Sequence, residues 1–409
     1  MRIRKHHPNL FPEFDLSASD LRASADFRLR LASFHDPRVA GKVCFALPEV
    51  LTIAFCALLA ECEHFTEFAM FGRSQLGWLR TFLHLPNGAP SHDVFRNVFI
   101  ALKPKALLEV MAQWVGSLHS QHVIIDGKCL RGTNQGRQGA AAKVFLLRAW
   151  VRQAGLSIDQ LPCAEKSCEL ATLPHLLDAL HLTGAVVTID AMGTHPQTAA
   201  ALHEQGADYV LALKKNQPQA FAEVAQHFQS VAQRDPAIPT APLPQPDAWH
   251  QRCESTALSH GRYEERITTT TGHLAWFTRD WKWAGLQSIT EVRRRTHRNG
   301  LREELNEEVH YYLSSLPPEA ALLAKVIRDH WAVENSCHHI LDVTYGEDHC
   351  QVQDAHAAQN LSLLREMTLK ALKDYPLQAS IASKRKRAAL SPCFRLKVLL
   401  HGITSLFHA

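Results

Sequence analysis

The chain lacks most of the features that classify a protein quickly. Its ten cysteines are scattered and form no C-x-x-C pair, so reduced, buried thiols are expected rather than disulfides. Met1-Arg2-Ile3-Arg4-Lys5-His6-His7 carries no apolar core of the kind a secretory signal needs. The most apolar stretch, 47–60, is short for a bilayer and opens with Pro48-Glu49, so it reads as a buried helix and no membrane partner is expected. A cytoplasmic protein follows. The net charge is only +4 over 409 residues, which excludes a global basic field and leaves any DNA-facing surface local. Gly132, Gly136 and Gly139 match neither a P-loop nor a dinucleotide fingerprint, and no nucleotide cofactor is expected. There is no H-E-x-x-H, internal repeat or heptad array.

What is present is ordinary in bulk, 46% hydrophobic and 21% charged, with enough chain for two or three domains. Residues 1–115 read as helical. Leu47, Leu51, Ala54, Phe55, Leu58 and Leu59 share one face behind Pro48, and Ser91 caps a helix carrying Phe95, Val98, Phe99 and Leu102. Such a helical module either packs or contacts DNA. From 116 to 230 the pattern becomes mixed α/β. The apolar run 122–125 ends at Asp126, and strands are expected at 143–151 and 155–163. A helix follows at 171–181, then the run 185–189 ending at Asp190, a helix at 196–205 stopped by Gly206, and a strand at 209–213. Residues 231–317 hold a linker with five prolines between Asp235 and Pro246, then a β-rich insertion with strands at 266–271, 288–294 and 309–313. Residues 318–375 carry a long helix at 320–341 and another at 359–373, and 376–409 form a basic tail containing Lys384-Arg385-Lys386-Arg387.

Three carboxylates stand out. Asp126 and Asp190 each end a buried strand, where α/β proteins collect their sites. Leu323, Ile327, His330, Glu334, Cys337 and Leu341 follow helical spacing, which sets Glu334 inside the apolar stripe of the late helix. Inward acids repel one another and desolvate badly. Each has a plainer reading: turn residues for the aspartates, and a salt bridge from Glu334 to Arg131 or Lys128. His330, Glu334 and His338 also suggest a helix-borne zinc site, but three ligands over two turns of a straight helix diverge. Pairing Cys337 with a neighbouring histidine for nucleophilic catalysis lacks a legible orienting acid or oxyanion hole. Taken together, two strand-end aspartates and an inward glutamate make an oxygen donor set suited to Mg²⁺ or Mn²⁺. Two such ions roughly 3.5–4 Å apart promote in-line phosphoryl displacement.

The surrounding blocks are recognisable. Ile125-Asp126-Gly127-Lys128-Cys129-Leu130-Arg131-Gly132 resembles the first catalytic block of the ISAs-type insertion-sequence transposases, a group that includes the H-repeat-associated proteins. Thr188-Ile189-Asp190-Ala191-Met192-Gly193, with Gly206 through Gln217, resembles the second. His330-Trp331-Ala332-Val333-Glu334-Asn335, continued by 341–348, resembles the third. Asp36-Pro37-Arg38 through Asp93 is similar to the family's N-terminal associated domain, and His260-Gly261-Arg262 and 311–316 to its insertion. The resemblance runs over roughly residues 34–375. Related transposases carry a Tyr-Arg-Glu-Lys signature around the glutamate; those positions are Ile327, His330 and Leu341 here. Cys337, His339 and Lys215 stand where the family suggests Leu, Trp and Gly.

The resemblance implies an RNase H-like catalytic core, a helical N-terminal domain and a β-rich insertion before the last catalytic helix. It implies a DDE site of Asp126, Asp190 and Glu334 holding two Mg²⁺ (or Mn²⁺) ions, and DNA as partner, both element terminal repeats and target. A homodimer in the synaptic complex and association with the nucleoid when bound also follow. Lys128, Arg131, Lys214, Lys215 and Asn216 would contact DNA near the metals, with Trp331 stacking on a base and Asn335 beside it. Arg293-Arg294-Arg295 and Arg298 form a second basic run, offering either phosphate contacts or a solvated strand edge. The reaction expected is metal-dependent cleavage and strand transfer. The alternatives are an inactive DNA-binding remnant of an element and a metal-dependent nuclease without strand transfer.

Overall fold

The computed structural model describes residues 36–39, 41, 43–133, 144–163, 169–234, 250–259, 262–279, 282–298 and 304–405. The glycine-rich stretch beyond Thr133, the proline-rich linker and His260-Gly261 lie outside the described residues. The described chain packs as two units. One comprises described residues of Met1–Gly116, Cys129–Val144 and Cys337–Ala409, the other those of Ser117–Lys128 and Phe145–Ser336.

The first unit is helical. It opens with α1 (Leu47–Leu59), α2 (Phe65–Ser74), the single turn α3 (Leu76–Leu79), α4 (His92–Ala101) and α5 (Pro104–Val115). Pro48 and Pro104 occupy first turns, where no amide donor is needed. The Ser91 hydroxyl accepts from the Val94 amide at 3.4 Å and caps α4. Helix α1 is buried on almost every side, so it is the axis of this unit rather than an amphipathic surface helix. Phe68 and Phe95 pack edge to face around it, their centroids 5.7 Å apart.

The second unit is built on one nine-stranded sheet. Its elements are β1 (His122–Leu130), β2 (Val144–Val151), β3 (Leu156–Cys163), α6 (Glu169–Ala179), β4 (Val186–Ile189), α7 (Pro196–Glu204), β5 (Asp208–Leu213), α8 (Pro218–Arg234), β6 (His250–Ser259), β7 (Arg262–Thr271), β8 (Ser288–Arg298), β9 (Glu304–Ser314) and α9 (Ala320–His330). The sheet order is β3-β2-β1-β4-β5-β9-β8-β7-β6. Strands β2 and β3 are antiparallel, whereas β1, β4 and β5 are mutually parallel. The parallel strands are continuous apolar runs because both sheet faces are covered. This five-stranded half is the expected RNase H-like core. The insertion does not fold apart from it: β9 pairs antiparallel with β5, and β8, β7 and β6 extend the same sheet outward. Strand β6 has no counterpart among the expected strands. Its residues, His250-Gln251-Arg252-Cys253-Glu254, are too polar to show an apolar alternation.

Two expectations fail in the last third. The long helix expected over 320–341 is interrupted: α9 ends at His330, a π-turn spans Glu334–His338, and α10 runs His339–Thr344. The basic tail is not a tail. After α11 (Ala355–Asp374) the chain forms α12 (Ile381–Leu390) and α13 (Pro392–Ser405), in the first unit. Within it Lys384 is buried and donates to the Leu372 and Tyr375 carbonyls at 2.6 and 2.8 Å. The Arg385 guanidinium lies 3.9 Å from the Tyr345 ring centroid and donates to the Leu58 carbonyl and the Glu63 carboxylate. Half of the cluster is therefore consumed in packing.

One polar contact ties the core together. The Thr188 hydroxyl on β4 lies 2.8 Å from His122 Nε2 on β1 and 2.9 Å from His330 Nδ1 at the end of α9. A neutral imidazole can donate or accept, so the hydroxyl is satisfied from both sides without a charge. Burial pulls both rings down to about 4 from the ordinary histidine value.

Two predictions follow from this packing. Arg385→Ala removes the nearer of the two guanidinium partners of Glu63, leaving Arg365 at 3.6 Å, and takes a cation from the Tyr345 ring; it lowers stability by about 2 kcal/mol in urea titration. An unchanged midpoint would show that the pair is idle. For the histidines, the unfolded chain takes up protons below pH ~6.5 that the folded rings refuse until about pH 4. Stability is thus flat in this respect above pH ~6.5 and falls as pH drops toward 4, by about 3 kcal/mol per ring at 1.36 kcal/mol per unit. The His122→Asn variant removes about half of that slope. A midpoint level from pH 7 to pH 4.5 excludes the neutral pair.

Candidate active site

The parallel register sets the first two acids. Ile125 pairs with Ile189 across β1 and β4, so Asp126 and Asp190 both come directly after the last paired positions. Asp190 follows the end of β4, whereas β1 runs on past Asp126 to Leu130, so Asp126 lies inside its strand rather than at its end as expected. The Gly127 amide donates to Asp126 Oδ1 at 2.8 Å. Asp190 caps a 3₁₀ turn, Ala191–Gly193, by accepting from the Met192 amide at 3.1 Å. That turn is pinned from three sides. Thr194 Oγ1 donates to the Ala212 carbonyl of β5 at 2.7 Å, Asn216 Nδ2 to the Ala191 carbonyl at 2.5 Å, and Gln217 Nε2 to the Thr194 carbonyl at 3.3 Å. Gly193 is packed so closely that a Cβ there would sit 2.4 Å from Ile189 Cγ2. The position of Asp190 is therefore over-determined by its turn.

The third acid reaches the same place by another route. Leu323 and Ile327 of α9 are buried in the core with Val210, Val292 and Tyr312. Glu334 was expected on that stripe, but its side chain is exposed. The helix breaks at Trp331, ahead of the π-turn, so the spacing from Leu323 and Ile327 no longer carries Glu334 onto their face. Carboxylate oxygens of Glu334 and Asp126 lie within 4.8 Å of each other. His330 is turned instead to Thr188, so the helix-borne zinc arrangement does not form.

Asp126, Asp190 and Glu334 all line one cleft of about 220 Å³, with Thr188, Lys214, His310, Tyr312, His330 and Trp331 on its walls. The donor set is carboxylate oxygen from three separate elements, which fits a hard divalent cation such as Mg²⁺ or Mn²⁺.

The remaining expected residues divide. Lys214 lines the cleft and is exposed, and Lys215 is exposed in the turn that follows β5. Trp331 is 45% exposed at the cleft wall. Asn335 is exposed on the π-turn. Asn216 is spent bracing the Asp190 turn. Lys128 is buried on β1 and is not on the cleft wall. Arg131 belongs to the helical unit, where it pairs with Asp348 at 3.3 Å. The second basic run is neutralised within the sheet. Arg293 pairs with Glu291 at 2.7 Å, Arg294 with Glu264 at 2.8 Å and Glu308 at 3.2 Å, and Arg295 with Glu307 at 3.0 Å. Arg298 has no described side chain.

One cleft residue had no place in the sequence reading. Glu169, at the start of α6, is 9% exposed and lines the cleft beside Asp126 and Asp190. An acid in the first turn of a helix is favoured for the helix's own sake. Its sequence position therefore gave no sign of a second use.

Comparison with known proteins identifies the family. A family model described as "Transposase DDE domain" matches residues 118–369, and one described as "DDE_Tnp_1-associated" matches residues 29–115. The chain is 30% identical over 375 residues to the H repeat-associated putative transposase YhhI of Escherichia coli K12, covering 89% of this chain and 95% of that protein. It is 29% identical over 374 residues to the putative transposase YncI of Escherichia coli O157:H7, covering 89% and 92%. Among solved structures, a piggyBac transposase synaptic complex with hairpin DNA aligns with TM-score 0.41 at 11% identity, covering 94% of this chain and 80% of that one. Among the described residues no helix is long and apolar enough to cross a membrane. DDE transposases act on DNA and use divalent metal ions, and the acidic group here suits them. The chain belongs to the DDE transposase family, among relatives of the H-repeat-associated group.

Proposed function

We propose that this transposase cuts the ends of an insertion sequence and joins them to target DNA, with Asp126, Asp190 and Glu334 as its metal-binding triad. The observation that carries the reading is the convergence of Asp126 and Glu334 oxygens within 4.8 Å, in a cleft whose wall includes Asp190 on the adjacent strand. Two divalent ions bound there would activate the attacking oxygen and stabilise the leaving one.

The chain's own residues would do the rest. The three carboxylates fix where the ions sit, and the braced Asp190 turn fixes how they face. The Lys214 ammonium, exposed at the cleft, would hold a phosphate next to the scissile bond. Trp331 offers a ring face for an unpaired base at the DNA end. In the first step a water oxygen bonds to phosphorus, the bond to the 3′ oxygen breaks, and a 3′-hydroxyl is freed. In the second step that hydroxyl attacks a target phosphodiester, and one diester is exchanged for another. No nucleotide cofactor and no covalent enzyme intermediate is required. Both element ends react in one event, which suits a homodimer in the synaptic complex. Lys215 and Asn335, exposed at the rim, would contact backbone phosphate and sugar. Lys128 and Asn216 are better assigned to supporting the site than to touching DNA.

Two outcomes test this reading. Purified protein with end-sequence DNA and Mn²⁺ nicks the DNA and, given target, joins it. Asp190→Asn and Glu334→Gln each lower nicking by about 100-fold or more while retaining gel-shift affinity in chelator. Equal nicking by either variant removes that residue from the site, whereas nicking without joining identifies a nuclease and binding without nicking a remnant. Lys214→Ala weakens binding to all DNA sequences alike and reduces the slope of log affinity against log salt by about 1. An unchanged slope places Lys214 outside the DNA path.

A further inference from the structure

One hydroxyl stands between two imidazoles. Thr188 Oγ1 on β4 lies 2.8 Å from His122 Nε2 and 2.9 Å from His330 Nδ1. A threonine hydroxyl has one proton to give, and a neutral imidazole has one N–H. Two registers join all three groups. In the first, His122 Nε2–H donates to Thr188, Thr188 donates to His330 Nδ1, and the proton of His330 sits on Nε2. In the second, His330 Nδ1–H donates to Thr188, Thr188 donates to His122 Nε2, and His330 Nε2 keeps a bare lone pair. The hydrogen bond made by one ring nitrogen thus fixes the state of the other.

The cleft decides between them. The His330 ring is on the cleft wall with Thr188, Asp190, Lys214 and Glu334. Asp190 and Glu334 act on it as nearby negative charges, and Lys214 as a positive one. With Nδ1 spent on Thr188, Nε2 is the ring nitrogen that remains for the cleft. Beside two carboxylates an N–H is attracted and a lone pair repelled. At the far end of the row, Asp329 acts on His122 with one sign and Arg152 and Lys325 with the other, so no equal preference comes from that side. The first register is favoured. A phosphodiester entering the cleft is a further anion and favours the same one.

We propose that His330 is a catalytic residue that donates its Nε2–H to a non-bridging oxygen of the scissile phosphate, with Thr188 and His122 as the positioning residues that set its tautomer. The inference rests on the reading of Asp126, Asp190 and Glu334 as the metal-binding triad. An N–H has no lone pair to offer a metal ion, so this donor does not compete with the carboxylates. It stabilises the charge that gathers on the phosphate oxygens while the attacking oxygen bonds and the leaving oxygen departs. No bond to His330 forms and its proton stays on the ring. The donor is placed before DNA arrives, because Thr188 stands on β4 two residues ahead of Asp190.

The test is single-turnover nicking of end-sequence DNA in Mn²⁺ by the full chain. Asparagine at 330 reaches Thr188 from where Nδ1 stood but has nothing at the Nε2 position, whereas glutamine carries an amide near it. His330→Asn is expected to lower the rate at saturating DNA by about tenfold or more, with DNA affinity in chelator within about threefold, and His330→Gln to recover part of the loss. Sulfur at one of the two non-bridging positions of the scissile phosphate slows the wild type more than it slows His330→Asn. Nitrogen NMR of histidine-labelled protein finds the His330 proton on Nε2 in the wild type and in Thr188→Ser, and shared between both nitrogens in Thr188→Val. Nicking falls in Thr188→Val and returns in Thr188→Ser, which decides the matter if His330→Asn does not fold. Wild-type nicking by His330→Asn, equal sulfur effects in the two proteins, or a His330 proton on Nδ1 overturns the proposal. Loss of nicking in Asp190→Asn with none in His330→Asn overturns this proposal alone, whereas wild-type nicking by Asp190→Asn overturns the triad reading.

Discussion

The constraint on which the rest of this protein depends is the placement of two carboxylates directly after the last paired positions of two adjacent parallel strands. Neighbouring strands lie about 4.8 Å apart, and at that range two negative charges repel by about 3 kcal/mol at an effective dielectric of 20. Left to itself, such a strand end frays or turns its acids outward. Here both are held by backbone amides: Asp126 by Gly127 and Asp190 by Met192. Behind them, the Thr188 hydroxyl locks β4 to His122 and His330, and the residues around 191–194 are tied to β5 and to the turn that follows it. Most of the polar contacts buried near the cleft serve this one purpose. A site that must present repelling charges to a ligand is preorganised by neutral groups that cannot themselves compete for the ligand.

The same logic governs where positive charge is allowed. A DNA-processing protein with a net charge of only +4 needs its free cations in the right places. Most of the conspicuous ones are already engaged. The three consecutive arginines of β8 are matched by glutamates of β7, β8 and β9, so their charge is largely neutralised within the sheet. Lys384 and Arg385 staple helices together by donating to carbonyls and to Glu63. Among the described residues, Lys214 lines the cleft, with Lys215 next to it in an exposed turn. A densely basic string in a sequence is thus a poor guide to a nucleic-acid surface, and a pair of lysines after a buried strand a better one.

Much of the core was legible for a simple reason. Parallel strands covered on both faces are written as unbroken apolar runs, and such a run marks β4 up to Asp190, whereas at Asp126 the apolar run stops but the strand continues to Leu130. The helices of the first unit were legible from prolines at their starts and a serine cap. The illegible parts share a different physics. Strand β6 is an outer strand with a polar face and offers no alternation to read. The folding of 381–405 into helices is masked by its basic composition, because the partners that bury Lys384 and Arg385 are far away in sequence. Glu169 is hidden because its local environment, a helix start, already accounts for it. Local patterns predict elements, whereas long-range partners decide what charged residues are for.

The π-turn shows how those two levels meet. Helical spacing places Glu334 in the same stripe as Leu323 and Ile327, and an unbroken helix would drive its carboxylate into the core. The break after His330 resolves the conflict: Leu323 and Ile327 stay buried, Glu334 lines the cleft, and Cys337 within the turn and Leu341 after it are buried. This also bears on the positions where the chain leaves the family pattern. Cys337 is buried, whereas His339 and Glu334 are exposed. A smaller residue at 337 changes packing, and a histidine at 339 changes solvent chemistry, but neither removes an oxygen donor. The departures therefore act on how firmly the turn is held rather than on what it presents, and a loosened turn would cost this site its geometry before it cost it a ligand.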